Sequence, residues 1–404
     1  MSGLQLRHFE RAVADIAAHG DNDTLPFDVD NRFLAERREA LVKIAFAFSQ
    51  ELAKNTKAGA KNLIEELQVF SERLLVPAGT AGFRISTKIR PFWNFYFNGL
   101  GIAVAENLEP IRSDRVHSYR FLNEGDGLFD PVASWRSFRE ASIQDAENVS
   151  DGNGFVVQTD ISSFYEHVSH HRIENCVDDL FPSDPTISVQ IDRFLSKFAA
   201  GRSFGLPVGG QGSRILAELI LSSIDRRLSE TNIVWRRFVD DFVIVAQTQA
   251  AAYRALSILS HALADYGLTL NRTKTIFLST KHFVDYVRTQ LGGSGDEATK
   301  LSEIDVHFNP YSDDAKIEYE DLRGIVESLD IRALLDGELR KSQPDSFLVA
   351  QIGRTLKLHG PSEALQICSV LLAEKNLHAF RASWSTIMRG GCFRMWGSPF
   401  FVNR

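Results

Sequence analysis

The chain has 404 residues, too many for one ordinary core, so two to three packed subregions are expected. A hydrophobic fraction of 44% and a charged fraction of 24% exclude a disordered chain. With 45 basic and 52 acidic side chains the formal charge is −7, which argues against a small basic DNA-binding module but leaves room for a local basic groove. Cys176, Cys368 and Cys392 are isolated, form no Cys-x-x-Cys pair for zinc, and suit a reducing cytosol. The first ten residues lack a basic-then-apolar signal pattern, and no apolar run approaches membrane-spanning length. A cytoplasmic protein without a membrane partner is expected.

Leu34, Leu41, Ile44 and Ala45 recur near a 3.6-residue period, which predicts helix over residues 31–75. Turn residues follow over 77–83, then the basic strip Arg84-Ile-Ser-Thr-Lys-Ile-Arg-Pro-Phe-Trp93 and a helical run over 95–108. Residues 124–127 and 150–154 read as loops. The segment 155–160 reads as a short buried strand ending on Asp160, and residues 234–246 as two apolar strands joined by a turn at Asp240-Asp241. A glycine-rich loop over 205–213 enters a helix over 215–228, and a further helix covers 252–266. The order strand, helix, strand-turn-strand, helix predicts an α+β sheet with helices packed on one side. After Gly292-Gly-Ser-Gly295 the pattern is helical over 319–329, 331–341, 347–358, 362–374 and 378–388. Three regions follow: N-terminal helices over 1–80, the sheet-bearing part over 81–290, and a helical C-terminal region over 291–404.

Adjacent acids between two apolar strands must sit at the turn, because neither strand has room for a charge in the core. Consecutive side chains then point opposite ways, so one acid can face a ligand while the other braces it. If the strand ending on Asp160 is a neighbour, three carboxylates converge at one sheet edge. Such a cluster repels itself unless a cation sits in it. Oxygen ligands select Mg²⁺, with Mn²⁺ as an alternative, and two such ions about 4 Å apart can clamp an in-line phosphoryl transfer. A bare Asp-Asp pair is also a good hairpin turn, so its context decides.

Asp160-Ile-Ser-Ser-Phe-Tyr165, Gly205-Leu-Pro-Val-Gly209, Phe238-Val-Asp-Asp241 and Gly267-Leu-Thr-Leu-Asn-Arg-Thr-Lys274 occur in that order. Their order and spacing resemble the consecutive palm motifs of reverse transcriptases. His19-Gly-Asp-Asn-Asp-Thr-Leu-Pro26, Val116-His-Ser-Tyr-Arg-Phe121 and Trp135-Arg-Ser-Phe138 further resemble the bacterial defence-associated and abortive-infection branch. The resemblance implies a right-hand polymerase with fingers and palm, N-terminal helices and an α-helical C-terminal region that is thumb-like or helical-repeat. It implies Asp160 and Asp240 as principal metal ligands and catalytic acids, with Asp241 as an auxiliary.

Nucleotide-binding roles follow from the same resemblance. Tyr165 stands where reverse transcriptases place an aromatic gate against a 2′-hydroxyl, and Lys274 where a motif lysine sits near pyrophosphate. Gly209 belongs to the loop that approaches a base or template strand, while Lys88, Arg90 and Arg120 are candidates for triphosphate contact. Two positions depart from the family pattern: Val208 stands for a common Gln, and Phe238 for a common Tyr. The helix-like cluster Glu166-His167-Val-Ser-His170-His171 carries His167 and His171 at i, i+4 but is not the His-Glu-x-x-His order of a zinc protease. Trp93, Phe95, Tyr96 and Phe97 are either base-stacking or helix-packing aromatics.

The implied function is an RNA-directed DNA polymerase in antiphage defence that uses dNTPs and a bound RNA, with a dedicated non-coding RNA as one form of it, and makes a DNA product. A companion subunit or homo-oligomer fits the C-terminal helices. Arg84, Lys88, Arg90, Arg112, Arg115 and Arg120 are expected toward the nucleic-acid groove. The alternatives are a template-independent or protein-primed DNA synthase and a catalytically silent RNA-binding scaffold.

Overall fold

The computed structural model describes residues 3–20, 28–77, 82–125, 127–149, 153–291, 301, 322–341 and 346–379. The chain divides into two units, one of residues 1–22, 27–72 and 87–291, the other of residues 23–26, 73–86 and 292–404. In chain order, α1 (Leu6–His19), α2 (Asp28–Glu36), α3 (Arg38–Ala53) and α4 (Lys57–Glu65) precede the paired strands β1 (Ser71–Pro77) and β2 (Phe83–Ile89). There follow α5 (Pro91–Leu108), α6 (Trp135–Asn148), β3 (Phe155–Asp160), α7 (Phe164–His167), α8 (His170–Leu180), α9 (Thr186–Phe198) and α10 (Gln211–Ser229). Then come β4 (Val234–Phe238), β5 (Asp241–Ala246), α11 (Gln249–Ala264), β6 (Ile276–Ser279) and α12 (Thr280–Leu291).

The helix expected over 31–75 stops at residue 65; residues 71–75 are strand, because pairing with β2 supplies the backbone hydrogen bonds that a helix would otherwise provide. Pro91 at the first turn of α5 suits helix initiation, since its fixed φ is helical and its missing N–H costs nothing there. Phe95, Tyr96 and Phe97 are buried on α5, and Tyr96 Oη donates to Gln190 Oε1 at 2.6 Å. They pack helices rather than presenting a surface for bases. Helix α10 begins at Gln211, earlier than expected, and the Gly212 N–H donates to Asn98 Oδ1 on α5 at 2.8 Å. A Cβ on Gly101 would lie 2.8 Å from Gly212 Cα, closer than side chains tolerate.

Strands β3 to β6 form one antiparallel sheet in the order β4-β5-β3-β6. Both faces are covered, not one as the pattern suggested. Alternation along β5 sends Phe242 and Ile244 into the main core with α10 and α11, and Val243 and Val245 into a second core with Phe138, Phe283, Val284 and Val287. A strand apolar at both faces needs a layer on each, and α6 and α12 supply the second. Helix α6 is started by a capping box between Ser134 and Ser137, and α11 by the Thr248 side chain, which accepts from Ala251 N–H at 3.1 Å.

In the second unit, α13 (Ile331–Leu339), α14 (Ser346–Thr355) and α15 (Pro361–Leu371) bury Ile331, Leu335, Val349, Ile352 and Ile367 in a core of their own. The helix expected over 378–388 and the loops at 150–152 and 292–295 lie wholly or largely outside the described residues. Among the described residues, no helix is long and apolar enough to cross a membrane.

Beneath the sheet lies a buried ion cluster. Arg237 on β4 is fully buried and donates through Nε to Asp225 at 2.8 Å and through NH2 to Glu218 at 2.9 Å, both acids on α10. Arg112 joins Glu218 at 2.7 Å, so this arginine lies in the interior and not on the expected groove. Burial pushes both carboxyls up. At Glu218 two arginines overcome it and hold the acid below its ordinary range, whereas at Asp225 burial wins. Removing one member of such a cluster leaves an uncompensated buried charge. Arg237→Met is therefore expected to lower unfolding free energy by about 3–5 kcal/mol, read from urea unfolding followed by circular dichroism.

Candidate active site

The register of the sheet places Asp160, the last residue of β3, directly opposite Asp241, the first of β5. Asp160 shares a face with Val156 and Gln158, and Asp241 shares it with Val243 and Val245, so both acids stand at the end of the face covered by α6 and α12. Asp240 occupies the turn before β5, and its carbonyl accepts from Ile161 N–H at 3.2 Å. The turn is made by Val239 and Asp240 rather than by the two acids, and Val239 has φ 53°. A β-branched residue in this left-handed region is strained, at a cost on the order of 1–3 kcal/mol.

Asp160 is nearly enclosed, while Asp241 is open to solvent on one side and crowded by protein on the other. Asn271 N–H donates to the Asp160 carbonyl at 2.8 Å, which brings the 267–274 segment alongside β3. Lys274 Nζ then reaches Asp160 Oδ2 at 2.6 Å. That hydrogen bond raises the lysine's pKa against a partial burial cost. Asp160 Oδ1 is shielded from solvent with no hydrogen-bond partner among the described residues.

Crowding, then Asp240 and Asp160, push the Asp241 carboxyl up to about 6, against the opposing charges of Lys274 and Arg139. Three carboxylates, an orphaned buried oxygen and mutual repulsion fit a hard divalent cation held by Asp160, Asp240 and Asp241. Among the described residues, no three His, Cys, Asp or Glu side chains are already gathered into a ligand set. Like charges have no reason to close up on their own.

Tyr165 lies just beyond β3, half-buried, edge-on to Phe164 with ring centroids 5.6 Å apart. Its carbonyl accepts from Leu206 N–H at 2.7 Å, tying it to the glycine-rich loop. Gly209 in that loop has φ 128°, a conformation that side chains resist. The preceding Val208 carbonyl accepts from Thr87 N–H at 3.1 Å, so the end of β2 that carries Lys88 meets the loop next to Gly209. The structure thus groups the three acids with Lys274, and Tyr165 and Gly209 with the strand of Lys88.

Arg90 is exposed, 3.7 Å from Glu72, and Arg120 is engaged by Glu109 and the Ser113 carbonyl, each at 2.6 Å. His167 and His171 lie on separate helices, α7 and α8, so the expected shared helical face does not exist. The intervening His170 is buried against the Gly205 carbonyl at 2.8 Å.

Sequence reasoning missed several residues here. Arg139 on α6 is buried beneath Asp241, its guanidinium 5.2 Å from the Trp135 ring and 5.3 Å from that of Phe283. Arg214 lies over the Tyr119 ring at 5.3 Å, and both bear electrostatically on Tyr165. The quoted segments 116–121 and 135–138 adjoin these positions, but nothing in their spacing marked a partner.

Residues 85–291, slightly more than half of the chain, match the family model described as reverse transcriptase (RNA-dependent DNA polymerase). Among solved structures the chain is similar to apo telomerase from Candida tropicalis, with TM-score 0.41, 13% identity and coverage of 79% of this chain and 62% of that one. The same telomerase truncated from its C-terminal domain gives TM-score 0.37, 13% identity and coverage of 52% and 49%. Telomerase from Candida albicans in complex with a TWJ fragment of telomeric RNA gives 0.38, 12%, 80% and 67%. The chain therefore spans about half to two thirds of the length of these telomerase chains. No curated protein matches it.

Folding raises the Asp241 carboxyl from 3.8 to about 6, so the folded state favours its protonated form. The stability this group contributes is complete below about pH 4 and is lost as pH rises through about 6. In chelator-treated buffer, Asp241→Asn is expected to match the unmodified protein at pH 4 and to exceed it by a widening margin up to pH 7. Urea unfolding at a series of pH values measures this; a margin that narrows with pH contradicts it.

Proposed function

This chain belongs to the reverse transcriptase family, and on that premise we propose that it is an RNA-directed DNA polymerase whose nucleotidyl transfer is centred on Asp160, Asp240 and Asp241. The observation that carries the reading is the opposition of Asp160 and Asp241 across β3 and β5, with Asp240 adjacent and Lys274 on the outer oxygen of Asp160. Divalent cations, Mg²⁺ or Mn²⁺, held by these acids would polarise an attacking 3′-hydroxyl and neutralise charge on the triphosphate and leaving pyrophosphate. The chain's own residues do the positioning. Lys274 keeps a cation beside Asp160 and is exposed enough to swing to a pyrophosphate. Tyr165, braced by Phe164 and the Leu206 contact, is the side chain that would crowd a 2′-hydroxyl. The Gly209 turn, next to Lys88, lets backbone approach a base closely.

Residues 81–290 then act as fingers and palm, residues 1–80 as a mainly helical N-terminal region, and residues 291–404 as a thumb-like or partner-binding region. The resemblance of the 19–26, 116–121 and 135–138 segments to defence-associated enzymes supports a cytoplasmic antiphage role with a bound RNA. Incubation of the full chain with each labelled dNTP, with and without added RNA, tests the reading. RNA-dependent incorporation is expected; incorporation that ignores RNA points to a template-independent synthase, and none at all to a silent scaffold.

Asp240→Asn is expected to reduce incorporation to background while leaving the circular dichroism spectrum and melting temperature near those of the unmodified chain. Normal incorporation by that variant removes the acid assignment. Tyr165→Ala removes that ring and is expected to weaken discrimination against ribonucleotides about tenfold or more, measured as the ratio of kcat/KM for dNTP and NTP.

A further inference from the structure

Val239 delivers the two adjacent acids, and both polar groups of its backbone are held by buried side chains. At φ 53° it occupies a conformation that a β-branched residue avoids. Without restraint this residue would relax toward extended backbone and turn Asp240, the acid in the turn, away from Asp160. Two hydrogen bonds oppose that relaxation. Val239 N–H donates to Ser118 Oγ at 2.9 Å, and Arg237 NH1 donates to the Val239 carbonyl at 2.8 Å.

Ser118 is fully buried, and its hydroxyl donates to Glu218 Oε1 at 2.6 Å. An ionised carboxylate only accepts, so the Ser118 hydroxyl spends its O–H on Glu218 and leaves an oxygen lone pair for Val239 N–H. The buried charge cluster thereby sets the direction of the hydrogen bond that holds the turn. The serine cannot drift. Its segment runs beside β4, with His117 N–H donating to the Arg237 carbonyl at 2.9 Å and Arg237 N–H to the Arg115 carbonyl at 3.1 Å. Arg112 NH2 also donates to the Ser118 carbonyl at 2.7 Å.

We propose that Ser118, together with Arg237, is a positioning residue for the acid pair: it clamps the strained Val239 peptide and so fixes where Asp240 faces beside Asp241, which the sheet register holds. This rests on the reading of those acids as the reactive site. Ser118 touches no reacting atom and acts only through the turn.

The test is Ser118→Ala in the full chain, alone and combined with Val239→Gly. Glycine enters the left-handed region without strain, so the clamp should matter less in that background. Ser118→Ala alone is expected to lower kcat and Mn²⁺ affinity, titrated by electron paramagnetic resonance, about 10–100-fold, with the KM for dNTP little changed. Hydrogen exchange of the 236–242 backbone should also accelerate without metal or substrate. With Val239→Gly present, the further loss caused by Ser118→Ala should shrink to about threefold or less, well below that range. Equal losses in both backgrounds, a change confined to KM, or unaltered exchange of 236–242 each overturns the proposal. The underlying reading fails separately, through an Asp240→Asn variant that binds Mn²⁺ and incorporates nucleotide as the unmodified chain does.

Discussion

Two carboxylates placed opposite each other in an antiparallel sheet repel, and the rest of the first unit is arranged so that they stay there. Asp160 and Asp241 end neighbouring strands whose remaining side chains are committed to two hydrophobic layers. A slip of β5 by one residue would carry Asp241 to the other face and drive Val243 and Val245 out of their core. Hydrophobic burial on both faces therefore determines the separation of the acids, and neither acid can escape its neighbour.

The repulsion is moderated by two cations of different character. Lys274 approaches from the solvent side on a flexible, largely exposed stem and contacts Asp160 directly. Arg139 approaches from the protein side, buried among aromatic rings, and acts on Asp241 through space. A lysine can be exchanged for another cation or follow a product anion, whereas a packed guanidinium cannot. The site thus combines a fixed field with a movable charge, an arrangement suited to a reaction in which phosphate charge builds and departs.

A third layer of charge lies deeper. Arg237, Arg112, Glu218 and Asp225 have no access to solvent to speak of, and such clusters contribute little net stability compared with an apolar core of the same shape. What this one does is connect α10, β4 and the 112–119 segment at a single point. Those three elements meet beneath the turn that presents the acids, where a strained peptide needs fixed partners on both sides.

Much of this was legible in the amino-acid sequence. Asp160 at the end of an apolar run and Asp240-Asp241 between two more had to lie at a sheet end, because charge is excluded from strand interiors, and the spacing of the motifs identified the family. Helix periodicity located α5, α10 and α11 to within a few residues. Local pattern failed where a distant partner decided: residues 71–75 became strand through pairing with β2, and the sheet acquired a second helical layer because its central strands are apolar on both faces. It failed too for Arg112, assigned to a groove by its charge but buried by Glu218. Which acid faces Asp160 depends on register, and Ser118 finds Glu218 100 positions away, Arg139 finds Gln290 151 away and Arg237 finds Asp225 12 away. Sequence determined which residues could carry the chemistry, since that is written in residue type and local period. Only the tertiary structure decided how they are held, because contacts across such distances follow from packing the whole sheet and leave no periodic trace in the chain.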